Sequence, residues 1–121
     1  MEEKENFEKL KKVLSSLDKG LEIKKDEPDY YYLNTNKRVK DKEMFFGAVQ
    51  IRKSYVAYHL FPVYTNPELL DDLSDSLKKR MQGKSCFNFK KDITEEQLNG
   101  ISELTKLSYA KFVENGFIEP N

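Results

Sequence analysis

The sequence contains little cysteine and little histidine, and each scarcity excludes a class of protein. The single cysteine, Cys86, cannot form an internal disulfide. This excludes a secreted domain held together by disulfides and predicts that the protein resides in the reducing cytoplasm. Together with the single histidine, His59, this cysteine cannot supply the nitrogen and sulfur ligands that a zinc site needs. Neither sign of charge is in excess, because 21 Lys and Arg residues balance 21 Asp and Glu residues. Nucleic acid is therefore not an expected partner.

Long apolar runs are also missing. No window approaches the ~18 consecutive apolar residues of a transmembrane helix, and the charged stretch 1–12 lacks the apolar centre of a secretory signal. The chain is nevertheless rich in aromatic side chains, with 8 Phe and 7 Tyr in 121 residues. Their large buried areas separate it from disordered sequences. We expect a single cytoplasmic domain over residues 1–121 that does not bind or cross a membrane.

Three segments have the apolar spacing of amphipathic helices, namely 7–17, 66–82 and 95–115. A glycine follows each of them, as expected at a helix end. The second opens with an Asn-Pro pair suited to a cap and a first helical position. The third opens with a capping box formed by Thr94 and Gln97.

Strand patterns fill the rest of the chain. They cover 21–23, 30–33, 44–64 and 85–90, with a turn and a charged loop at 34–43. Strands joined by short turns pair antiparallel, so the order α-β-β-β-β-α-β-α predicts an α+β domain. We expect a mainly antiparallel sheet of about five strands with three helices.

The densest strand signal, 44–64, predicts a hairpin with two different faces. A two-residue turn at 52–53 would pair Ile51 with Ser54 and Val49 with Val56. One face would then be a core face, formed by Phe45, Val49, Ile51, Val56 and Leu60. The other face mixes apolar and polar side chains, as in a half-covered cleft: Phe46, Ala48, Gln50, Arg52, Tyr55, Ala57, His59 and Phe61.

A run of positive charge marks residues 78–91. Six cations and no acid occur there, namely Lys78, Lys79, Arg80, Lys84, Lys90 and Lys91. Such a cluster suits a phosphate, a carboxylate or an acidic partner. Alternatively, three of the six complement the negative end of the second helix.

Two further constellations leave alternatives open. His59 and Cys86 would form a nucleophilic pair if the imidazole took the thiol proton, but nothing in the sequence brings them together, and free cysteines are usually buried. Carboxylates between residues 1 and 29 would suit a hard cation. Nine acids there face seven lysines, which favours a solvated helix face with paired charges.

Residues 44–115 resemble the YdhG-like family, domain of unknown function 1801. The resemblance is carried by the segments FFGAVQIRKSYVAYHLFPVY and LKKRMQGKSCFNF and by the trailing helix at 95–115. Most members of this family have no established activity, and some are described as frataxin-like iron chaperones with acidic surface on the first helix. The resemblance therefore implies an α+β fold and, as an alternative function, iron handling through Glu2, Glu5 and Glu8. The family's recurring positions are, in this sequence, Lys53, His59, Pro62, Tyr64, Gly83, Lys84 and Phe87.

We predict a non-catalytic domain without a cofactor that binds a small anion or an acidic protein partner. The expected site is a cleft between the mixed hairpin face and the basic loop. A thiol enzyme using Cys86 and an iron chaperone are the alternatives. The predicted ligand-binding residues are Arg52, Lys53, Tyr55, His59, Tyr64, Arg80, Lys84 and Ser85.

Overall fold

Five strands form one antiparallel sheet whose order follows the sequence, in a computed structural model that describes residues 2–17 and 19–120. The strands are β1 (Leu21–Glu27), β2 (Tyr30–Val39), β3 (Lys42–Ile51), β4 (Val56–Leu60) and β5 (Cys86–Phe89). The helices are α1 (Glu2–Ser15), α2 (Phe61–Thr65), α3 (Asp75–Lys78) and α4 (Glu95–Glu114), with a 3₁₀ helix at Pro67–Leu70. The predicted α+β class and the order α-β-β-β-β-α-β-α are confirmed.

The long helices α1 and α4 pack on the same side of the sheet, here called the covered face. Tyr58 of β4 reaches Thr105 of α4, and a β-carbon at Gly47 of β3 would lie 3.2 Å from Leu14 of α1. Alternate residues of a strand share a face, so β2 to β5 each contribute buried side chains there. The core between sheet and helices includes Phe7, Leu10, Leu14, Tyr31, Leu33, Phe46, Val49, Tyr58, Leu60, Phe87, Phe89, Ile101, Leu104 and Phe112.

A β-bulge in β3 exchanges the predicted positions of Phe45 and Phe46. Consecutive residues of β2 pair with Gly47 and Phe45, so Phe46 between them has no partner of its own. Phe46 turns into the core, fully buried, with its ring 6.1 Å from that of Phe112. Phe45 turns to the opposite face and stacks on Tyr32 at 4.7 Å. The predicted faces of these two residues are wrong, because the inserted residue breaks the two-residue alternation.

The turn between β3 and β4 spans four residues rather than two. Ile51 pairs with Val56, and the backbone N–H of Arg52 donates to the carbonyl of Tyr55 at 2.7 Å. The predicted pairs are therefore wrong by two residues. A shift of two preserves the side-chain faces, so β4 keeps the faces that the sequence predicts.

A two-residue turn occurs instead between β2 and β3. Lys40 and Asp41 both have positive φ, 55° and 64°, as the tight hairpin turn requires. The turn and charged loop predicted at 34–43 are wrong, because β2 continues to Val39 and β3 begins at Lys42.

The predicted helix over 66–82 is also wrong, because helical structure there is short and interrupted. Before this segment, β4 ends at Leu60. Pro62 has no N–H to donate to a neighbouring strand, so it does not suit a strand that is paired on both sides. It does suit the first turn of α2. The strand signal at 44–64 thus stops four residues early. Further on, Ser74 is extended and its hydroxyl accepts the N–H of Leu77 at 3.3 Å. Ser74 therefore begins α3 anew instead of continuing a helix.

The last helix, α4, follows the prediction closely. Both hydrogen bonds of the Thr94–Gln97 capping box are present at 3.1 Å, and Gly116, with φ of 83°, follows the end of the helix. Gly100 has a packing reason inside this helix. A β-carbon there would lie 2.6 Å from Cδ1 of the buried Leu77 of α3, so glycine lets α3 approach α4.

A buried asparagine joins α1 to the segment that precedes α4. Asn6 is 1% exposed. Its Nδ2 donates to the carbonyl of Lys91 at 2.8 Å, and its Oδ1 accepts the N–H of Ile93 at 3.0 Å. These two bonds pair both polar atoms of the buried side chain with backbone groups.

Candidate functional site

The face of the sheet opposite α1 and α4, here called the open face, carries a row of aromatic rings. The solvated face of an antiparallel sheet is usually polar. Here consecutive ring centroids lie 5.9, 4.7, 6.1 and 5.8 Å apart along the open face and around its end. In order, the rings belong to Tyr30, Tyr32, Phe45, Phe61 and Tyr64. Such an arrangement offers flat apolar surface next to polar groups.

His59 and Cys86 are cross-strand neighbours on this open face. The Cys86 Sγ lies 3.5 Å from Nε2 of His59 and 3.4 Å from Oδ1 of Asn88. The small side chains of Ala48 and Ala57, both buried, lie beside them in the sheet. Sequence reasoning could not bring the pair together, because the approach depends on how β5 aligns with β4.

Electrostatics keep this pair neutral near pH 7. Burial lowers the pKa of His59 below its usual 6.5, and the positive charge of Arg52 lowers it further. Burial raises the pKa of the Cys86 thiol, an effect that Arg52 partly opposes. A nucleophilic thiolate needs a lowered thiol pKa. At rest the pair is therefore a thiol beside a neutral imidazole.

A cleft of about 640 Å³ opens where the open face meets the edge of β5, here called the basic cleft. Three cations, Lys79, Arg80 and Lys90, line it, and no acidic residue does. Within the described ranges, the ion pairs involve Lys11, Lys24, Lys37 and Lys111, and none of these three cations. The remaining lining residues are Tyr55, Met81, Gln82 and Asn88.

The chain around β5 explains why these cations converge. Residues 80–82 run antiparallel beside β5: the Asn88 N–H donates to the Arg80 carbonyl at 2.8 Å, and the Gln82 N–H donates to the Cys86 carbonyl at 2.9 Å. Gly83, with φ of 80°, allows the reversal between the two arms. Cations from both arms of this hairpin therefore line one cleft.

Arg80 also has an unsatisfied polar atom. Its Nε is buried and has no hydrogen-bond partner among the described residues. A buried donor without an acceptor costs about 1–3 kcal/mol. An anion in the basic cleft would supply acceptors close to this guanidinium.

Four of the predicted ligand-binding residues lie in or near this region. Tyr55 and Arg80 line the basic cleft. His59 lies on the open face, and Arg52 is near enough to shift its pKa; the Arg52 guanidinium also donates to Oε1 of Gln50 at 3.3 Å.

The other four lie apart from the basic cleft. The ammonium of Lys84 lies over the ring of Tyr64, 5.9 Å from its centroid. Ser85 contributes its carbonyl, which accepts the N–H of Leu60 at 3.0 Å. Lys53 lies beside Pro28 and the start of α1 in a different surface depression, which Arg52 also lines. The basic run at 78–91 is the sequence signal that points to Lys79 and Lys90, whereas nothing in the sequence identifies Gln82 and Asn88.

The carboxylates considered for iron lie on α1. Glu5 and Glu8 are exposed between Lys4 and Lys9, and the Glu2 side chain lies outside the described part of the protein. Among the residues with described side chains, no group of three His, Cys, Asp or Glu is placed to hold a metal ion.

Comparison with known proteins adds no relative. No family model matches the chain, and no curated protein or solved structure is significantly similar to it. The resemblance to YdhG-like domains thus stays a prediction from residues 44–115. In the part of the chain that the structure describes, no helix has the length and apolarity needed to cross a bilayer.

Proposed function

We propose that the protein is a non-catalytic binding domain whose basic cleft holds a small phosphate- or carboxylate-bearing ligand. The observation that carries the proposal is the convergence of Lys79, Arg80 and Lys90 on one cleft whose lining contains no acidic residue. Like charges placed together repel one another. A bound anion is attracted to all three cations and offsets their mutual repulsion, so the arrangement favours the occupied state.

The lining residues have two roles, because some supply positive charge and others orient the ligand. The planar guanidinium of Arg80 suits two parallel hydrogen bonds to a carboxylate or phosphate, whereas Lys79 and Lys90 act as point charges. The Tyr55 hydroxyl and the Asn88 amide are donors that fix the orientation of a ligand. The cleft volume of about 640 Å³ falls inside the range of small-molecule sites, roughly 300–1,000 Å³. It suits a small organic anion rather than a single inorganic ion.

The test is a thermal-shift screen followed by calorimetry. The panel contains inorganic phosphate, pyrophosphate, citrate, nucleotides, acidic peptides and, under anaerobic conditions, ferrous iron, all at constant ionic strength. A ligand that binds only the folded state raises the melting temperature. Arg80→Gln should weaken the binding of the anion found by at least tenfold, about 1.4 kcal/mol, without lowering the melting temperature of the free protein.

Lys84→Gln is the matched control, because it removes one charge from the same hairpin but outside the basic cleft. It should change the affinity less than twofold. Equal losses for Arg80→Gln and Lys84→Gln would contradict the cleft and indicate diffuse attraction. Stabilisation by acidic peptides alone would move the proposal to a protein partner, and stabilisation by iron alone would favour the chaperone alternative through Glu5 and Glu8.

A thiol enzyme is the second candidate, and the 3.5 Å approach of Cys86 to His59 favours it. Its test is the rate of alkylation by iodoacetamide in the native and the urea-unfolded protein. An activated thiol reacts faster in the native state. We expect the native thiol to react more slowly, because burial raises its pKa. In either case a free cysteine agrees with the proposed cytoplasmic location.

A further inference from the structure

A second depression lies between residues 69–74 and α4, and its floor is apolar. Leu69 and Leu73 form one side of this groove, and Leu104 and Leu107 of α4 form the other. Leu107 is 46% exposed, although it is a large aliphatic side chain. The groove, here called the leucine groove, therefore presents apolar surface that this chain does not cover.

The rim of the leucine groove is acidic. Asp72, Glu96 and Glu103 line it, and no Lys or Arg does. Glu96 and Glu103 are seven residues apart, two turns of helix, so both lie on the α4 face that carries Leu107. The charge is opposite to that of the basic cleft, and the lining of the two surfaces shares no residue.

We propose that the leucine groove docks a short basic amphipathic segment of another protein. Its one or two apolar side chains would enter between the leucines, with Lys or Arg residues beside Asp72 and Glu103. The groove holds about 250 Å³, below the roughly 300–1,000 Å³ of small-molecule sites. A volume of this size suits anchoring side chains rather than a whole small ligand. The acidic rim selects the sign of the partner's charge.

A second copy of this chain is a poorer occupant. The segment with the largest net positive charge, 78–91, would have to supply both the cations and the apolar anchor. Its aromatic residues Phe87 and Phe89 are 0% and 2% exposed, and Met81 is partly buried in the same core. No exposed apolar side chain thus stands among these cations.

The experiment selects peptides from a random 12-residue phage-display library on the immobilised full chain. We expect enriched peptides to carry net positive charge and at least one large apolar residue. Synthetic copies should lose at least tenfold in affinity with Leu107→Ser, measured by fluorescence anisotropy. Asp72→Asn should weaken binding and reduce its salt dependence.

Ile23→Ser is the matched control, because Ile23 is 56% exposed and lies on β1, away from the groove. It should leave the affinity unchanged. Enrichment of acidic peptides, equal binding to the Leu107→Ser variant, or no enrichment would overturn the proposal. So would self-association in analytical ultracentrifugation that Leu107→Ser abolishes. Acidic peptides would bear on the basic cleft instead, and Arg80→Gln should then weaken their binding. The other results do not bear on it, because anion binding does not involve Leu107.

Discussion

The hydroxyls of Tyr58 and Thr105 lie 2.7 Å apart inside the core and connect β4 to α4. Thr105 donates its own proton to the carbonyl of Ile101 at 2.7 Å, so Tyr58 is the donor to Thr105. Burial raises the pKa of Tyr58, which keeps this donor protonated. Both residues are fully buried, and the bond is oriented in one direction.

This direction predicts unequal effects of removing either partner. Thr105→Val leaves the buried Tyr58 hydroxyl without an acceptor, at a cost of about 1–3 kcal/mol. Tyr58→Phe removes only the donor and should cost about 0.5–1.5 kcal/mol. Urea unfolding measures both, and the double variant should be more stable than Thr105→Val alone. A larger loss for Tyr58→Phe than for Thr105→Val would contradict the assigned direction.

The bulge in β3 predicts that two adjacent phenylalanines contribute very differently to stability. Phe46→Ala should lower the free energy of unfolding by about 3–5 kcal/mol, because it leaves a cavity in the core. Phe45→Ala should cost much less, since its ring lies half-buried on the open face. The free energies of unfolding of the two variants, measured with denaturant, test this ranking. The reverse ranking would mean that strict alternation holds and the bulge is absent.

Gly100→Ala should destabilise the protein although alanine is the better helix former. The added methyl group would lie 2.6 Å from Leu77, and overpacking of a core costs about 1–3 kcal/mol. The gain in helix propensity, about 1 kcal/mol, offsets part of this cost. Asn99→Ala is the control, because Asn99 is exposed in the same helix. It should raise the thermal midpoint, and a rise for Gly100→Ala as well would show that α3 does not press on α4.

His59 should make the folded state sensitive to mild acid. Burial lowers its pKa in the folded protein, whereas the unfolded chain binds a proton near pH 6.5. Its contribution to stability is therefore complete above about pH 6.5 and declines as the pH falls below that value. His59→Gln removes the titration. Because His59 is the only histidine, the difference in unfolding free energy between the two proteins should change with pH only in this range; parallel curves would refute the assignment.

Local signals predicted the elements whose ends are set by nearby residues. The capping box at Thr94 needs only its own turn, and α4 forms as expected. The prediction of one helix over 66–82 failed, because the leucine residues have helical spacing but the backbone is helical only in short pieces. Ser74 competes as a cap, and contact of Leu77 with α4 fixes a separate short helix. That choice depends on packing between distant segments.

The candidate site was predictable in its charge but not in its geometry. The run at 78–91 indicated an anion-binding surface, and Tyr55 and Arg80 were expected in it. The place of Lys84 over Tyr64 and the approach of Cys86 to His59 both depend on the register of β5. Register is set by pairing across the sheet, which a single sequence does not reveal.

Asn6 bears on the lifetime of the fold. Its amide holds two backbone groups that are 85 and 87 residues away, so the chain between them must be in place before either bond forms. Because closing so long a loop costs entropy, we expect these bonds to form late in folding. Bonds that form late contribute little to the folding rate. Interactions made after the transition state mainly slow unfolding. We therefore expect Asn6 to determine how long the folded state persists rather than how quickly it is reached.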